Sequence, residues 1–110
     1  MKLVVPPEIW IGARKFRIRW NEVYLSAKGC KGELVDKEDL IRLVPGRSAL
    51  STFETLMHEI RHEINYLTSD DADAGLDGKV SAETNFLCQA LISVGIEPDF
   101  SLIPDEEAPK

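Results

Sequence analysis

The sequence predicts an α+β domain, a short and mainly antiparallel sheet of three to four strands followed by two helices. Three patterns carry that expectation. Residues 9–44 hold short apolar–polar alternations whose links are too brief for crossover helices. Residues 53–67 repeat apolar side chains at helical spacing, and a second such run ends at Gly95.

The elements follow in order. Ile9 to Ile11 reads as a strand, Gly12-Ala13-Arg14 as a turn, and Lys15 to Trp20 as its antiparallel partner. In that second strand, arginines alternate with Phe16, Ile18 and Trp20, as on a half-buried sheet. "NEVYLSAKGCKG" reads as an irregular crossing. "GELVD" and "DLIRLVP" are two further strands around a polar break at 36–39, the second stopped by Pro45-Gly46. Ser51 through Glu54 fits a capping box, with Ser51 as N-cap. The helix that follows has a core stripe of Phe53, Leu56, Met57, Ile60, Ile64 and Leu67, and reaches about Tyr66–Thr68. The acidic, glycine-containing "SDDADAGLDG" breaks it. "DADAG" lacks the later oxygen ligands of a calcium loop. In "VSAETNFLCQALISVG", Val80, Leu87, Leu91 and Val94 mark the expected buried stripe. A single domain over 1–104 is expected, with a mobile acidic tail at 105–110.

Composition narrows the function classes. The chain has 110 residues, with 44% hydrophobic and 29% charged, as folded globular domains do. No apolar run approaches the ~18 residues of a membrane span, and "MKLVVPPEIW" is broken too early for a secretory signal. An intracellular, cytoplasmic chain without a membrane partner is expected. Cys30 and Cys88 show no CxxC spacing and read as reduced thiols. The net charge of −6 argues against a nucleic-acid partner. Residues 1–32 nonetheless hold seven basic groups against two acidic ones.

The stretch "TLMHEIRHEINYL" holds both histidines, four residues apart. With Phe53 at zero on a helical wheel, the apolar stripe runs from about 300° to about 40°. His58 falls at about 140°, His62 at about 180° and Glu59 at about 240°. The two imidazoles thus stand one turn apart, off the stripe, where they converge on one zinc ion. Glu59 flanks that position and takes a proton from a metal-bound water. Such a site needs a third protein ligand and an open position. Glu83, the acid inside the second helical run, is the leading candidate; Cys88 and the loop acids Asp70, Asp71, Asp73 and Asp77 are its rivals. Asn65 is a candidate to orient an imidazole, and Tyr66 or Tyr24 to hydrogen-bond an oxyanion.

"TLMHEIRHEINYL" followed by "SAETNFLCQAL" resembles the small zinc-dependent peptidases of the glutamate-zincin type. Among them it is similar to compact metallopeptidase-like proteins of phages and prophages. These are related to the family that cleaves phage and stress-response repressors. The resemblance implies a minimal zincin-like core, a phage or bacterial host setting and one Zn²⁺ per chain. It implies His58, His62 and Glu83 as metal ligands and Glu59 as general base. It also implies that "DLIRLVP" is the strand edge that holds an extended protein or peptide substrate. Glu63 stands where a small residue is more usual. The expected function is peptide-bond hydrolysis. The alternative is a catalytically silent zincin-like protein that binds or regulates a partner. A zinc nuclease with a three-histidine signature does not fit two histidines and a charge of −6.

Overall fold

The computed structural model describes residues 1–68 and 77–107. Its elements are β1 (Lys2–Val4), β2 (Glu8–Ile11), β3 (Arg14–Trp20), α1 (Glu22–Lys28), β4 (Gly32–Val35), a 3-10 turn (Asp36–Glu38), β5 (Leu40–Leu43), α2 (Ala49–Thr68), α3 (Asp77–Ser93) and β6 (Glu97–Asp99). The chain is α+β, as expected. The acidic loop at 69–76 and residues 108–110 lie outside the described residues.

Four strands form one sheet in the order β2-β3-β5-β4. The hairpin β2–β3 and the pair β4–β5 are antiparallel, whereas β3 and β5 run parallel. That parallel pair was not foreseen, because its crossover hides in the segment expected to be irregular. "NEVYLSAK" is a helix. Asn21 accepts from the Tyr24 amide at its start, and Gly29 ends it in the left-handed conformation at φ 69°. Seven residues are too few to show a helical period, so only the two caps announce it. β1 and β6 form a separate parallel pair that joins the chain start to the segment after α3.

β3 places Phe16 and Ile18 in the core and turns Arg17 outward, as its alternation requires. Every residue of β5 is buried, because it is an inner strand with α1 and α2 packed against it. Phe16, Ile18, Ile41 and Leu43 meet Leu56 of α2, with Ile11, Val5 and Ile103 closing the core. Burial of this apolar set drives the fold, at roughly 1.5–3 kcal/mol for each large side chain.

The C-terminal segment is docked through Glu106. Asp105 bridges to Trp20, and the Glu106 amide donates to the Trp20 carbonyl. The Glu106 carboxylate takes two hydrogen bonds from Arg42 and one from Asn21. Arg42 also donates to Glu33 and lies 4.1 Å over the Tyr24 ring. A buried arginine needs such partners, and it finds them in Glu33 across the β4–β5 pair and in Glu106, 64 residues away.

Candidate functional site

α2 begins one turn earlier than the capping box implied. Ser48 is the cap: its Oγ accepts from the Ser51 amide, and its carbonyl accepts from the Thr52 amide. The helix is also rotated from its predicted phase. Thr52, Phe53, Leu56, Glu59 and Glu63 are buried, while Ile64 and Leu67 are exposed. On the wheel the buried face centres near 290°, about 60° from the centre of the apolar stripe. The rotation draws Glu59 and Glu63 inward and leaves the histidines half-buried.

Close approach to β4 sets this phase. A Cβ at Gly32 would stand 2.4 Å from Thr55 Cγ2 and 3.7 Å from Glu59 Cγ. Only glycine lets α2 lie this near the strand. Thr55 is fixed in turn, donating to the Ser51 carbonyl and accepting from Arg47 Nη1.

His58 and His62 are brought together as the spacing predicts. Their Nε2 atoms lie 2.9 Å apart, and the rings meet edge-on with centroids 4.5 Å apart. Ligand atoms of His58, Glu59 and His62 all fall within 4.8 Å of one another. Two Zn–N bonds at a tetrahedral centre separate their nitrogens by ~3.3 Å. The observed pair is a few tenths of an ångström from that, so these donors fit a zinc ion. Glu59 is 7% exposed and sits beside them under β4.

A cleft of about 480 Å³ opens at this point. Lys31 and Gly32 of β4 and its approach, Arg47, Thr55, His58, Glu59, Glu54 and Asn85 are among its walls. β5 cannot be the edge that a substrate strand joins, since it is paired on both sides. The edge beside the cleft is β4.

Glu83 stands apart from the His–Glu–His group. Its Oε2 accepts from Arg61 at 3.0 Å, with both side chains about 40% exposed. The reason is the phase of α3. Over residues 82–94, where burial is described, Thr84 and Cys88 are buried, while Leu87 and Val94, expected in the core, are exposed. That turns α3 by about 75° from the predicted stripe and presents Asn85 to the cleft instead. Neither Asn65 nor Tyr66 is among the described residues lining the cleft. Tyr66 lines another hollow together with Tyr24. Sequence reasoning missed Asn85, Arg47 and Gly32. The Thr84–Cys88 pair, four apart and small, was the available signal for Asn85.

Two side chains near the site have shifted acidities. Glu63 is 1% exposed, and burial, then the neighbouring Asp36 carboxyl, push it up to about 7. Arg14 lies 3.7 Å away and is itself engaged by Asp36 and Asp39. The extra acid in the motif thus points into the sheet, not into the cleft. Burial, then the charge of Glu54, push the Cys88 thiol up to about 11. Cys30 and Cys88 are both free thiols, the first exposed and the second buried.

No family model, curated protein or solved structure matches this chain. Among the described residues, no helix is long and apolar enough to cross a membrane.

Proposed function

We propose that this chain is a zinc-dependent metallopeptidase acting on an extended protein or peptide segment. The observation that carries the reading is the convergence of His58 and His62 Nε2 at 2.9 Å with a buried carboxylate, Glu59, beside them. A structural metal site has no use for that third group.

His58 and His62 would hold the ion, which when bound supplies Lewis acidity and an acidified water. A third donor is needed. Glu83 is the acid that would supply it, and doing so would break its exposed ion pair with Arg61, a contact of a kind worth only ~0–1 kcal/mol. Glu59, held under β4, accepts a proton at its carboxylate and passes it to the leaving amine. The free edge of β4 offers backbone groups to an extended chain, which places the scissile bond over His58 and Glu59. Asn85 lines the same cleft.

The test is metal content and peptide hydrolysis, measured together. Native mass spectrometry is expected to find one zinc per chain in wild type and none in His58→Ala. Glu59→Gln is expected to keep the zinc and lose hydrolysis by ~10²–10⁴-fold, the usual contribution of a general base. If Glu59→Gln hydrolyses as well as wild type, the base is elsewhere. A zinc-loaded wild type that cleaves nothing leaves the silent binding protein as the better reading.

A further inference from the structure

The cleft is electrically asymmetric. On the α3 side stands Glu54, close enough to Cys88 to raise its thiol. On the β4 side stand Lys31 and Arg47. Arg47 is half-buried, and among the described residues it has no carboxylate partner. Its one hydrogen bond, Nη1 to Thr55 Oγ1 at 2.8 Å, draws the guanidinium into this cleft. A second hollow also touches Arg47, but Thr55 does not line it. A guanidinium carries five donors, and a neutral hydroxyl engages only one of them. The remaining fork matches a carboxylate.

Resting on the peptidase reading, we propose that Arg47, with Lys31 lining the same cleft, is a carboxylate-recognition subsite that selects an acidic substrate. Thr55 precedes His58 and Glu59 by three and four residues, which is ~4.5–6 Å along the helix axis. An extended peptide advances ~3.3 Å per residue. The group held at Arg47 therefore lies one or two residues from the bond over Glu59. It is either an Asp or Glu side chain or the free C-terminal carboxylate of the bound peptide.

The experiment reads binding without catalysis. ¹⁵N-labelled Glu59→Gln protein is titrated with two matched peptide pairs, following the Arg47 Nε–Hε resonance. One pair is an acetylated, amidated tetrapeptide with Glu or Gln at its third position. The other is an acetylated trialanine with a free acid or an amide at its end. The carboxylate member of one pair is expected to bind about tenfold or more tightly than its amide and to shift Arg47. The pair that discriminates names the source of the carboxylate. Adding Arg47→Gln abolishes the preference, and Arg47→Lys keeps part of it. Equal binding within both pairs, no binding of any probe, or a preference that survives Arg47→Gln overturns the proposal. Because no cleavage is read, a chain that hydrolyses nothing still decides it. Hydrolysis indifferent to the carboxylate would leave the peptidase reading standing and remove this one.

Discussion

Glu106→Ala tests whether the last described residues hold the sheet together. Arg42 donates Nε and Nη2 to Glu106 at 2.7 and 3.1 Å, and Nη1 to Glu33 at 2.6 Å. The Arg42 side chain is 10% exposed and that of Glu106 is 19% exposed. Removing Glu106 leaves two guanidinium donors and the Asn21 amide short of acceptors. Breaking a buried pair from one side costs ~3–5 kcal/mol. Glu33 still neutralises Arg42, so the lower end applies, about 3 kcal/mol. That is a large share of the ~5–15 kcal/mol typical of a folded domain. It corresponds to a fall in melting temperature of roughly 12 °C at this chain length. Urea denaturation with an unchanged m value measures it. Adding Arg42→Met is expected to recover about half, because an apolar side chain needs no acceptor. The pH dependence adds a second check. Arg42 first, then Asn21, hold the Glu106 carboxyl below its usual range against the opposing effect of burial. A carboxyl pKa depressed in the folded state contributes stability that is present above the unfolded value, ~4.3, and lost as pH falls through the folded one. The gap between wild type and Glu106→Ala therefore stays level from neutral pH down to about 5 and narrows below about 4. A gap under about 1 kcal/mol, or one that does not narrow in acid, refutes the reasoning.

Three further outcomes are expected. Gly32→Ala drives a methyl into Thr55 and displaces α2 from β4, costing ~1–3 kcal/mol in urea denaturation and weakening zinc binding with it. Unchanged zinc affinity in that variant would separate the strand contact from the site. Glu83→Gln lowers zinc affinity about tenfold or more by competition with a chromogenic chelator, if the carboxylate leaves Arg61 for the metal; an unchanged affinity removes it from the ligand set. A thiol reagent at pH 8 finds one fast cysteine in the native protein and two in urea, because Cys88 is buried and its pKa is pushed up to about 11. Two fast native thiols would place Cys88 within reach of solvent.

What the sequence revealed follows from which signals are local. The β2–β3 hairpin, the strands of "GELVD" and "DLIRLVP", and the pairing of His58 with His62 all depend on periods of two or four residues. These survive any tertiary arrangement. Strand order does not. Nothing in "DLIRLV" says that β3 will pair with it in parallel and take it off the edge, since that depends on where α1 carries the chain. The Arg42–Glu106 contact spans 64 residues and was equally out of reach.

Helix phase is the subtler case, and it decides the site. The most apolar residues of each helix predict one orientation, and both helices turn away from it. In α2, contact with β4 admits Thr55 and Glu59 because Gly32 has no side chain, so a polar face packs where an apolar one was expected. In α3, Thr84 and Cys88 are buried in place of the larger Leu87 and Val94. Two helices that approach closely do so through small residues, and the bulky ones are turned aside. A wheel weighted by hydrophobicity points such a helix the wrong way. One weighted toward small residues at i and i+4 selects Thr84 and Cys88, and with them brings Asn85 to the cleft. The same turn of α3 leaves Glu83 on Arg61, in an exposed ion pair and outside the His58–Glu59–His62 group.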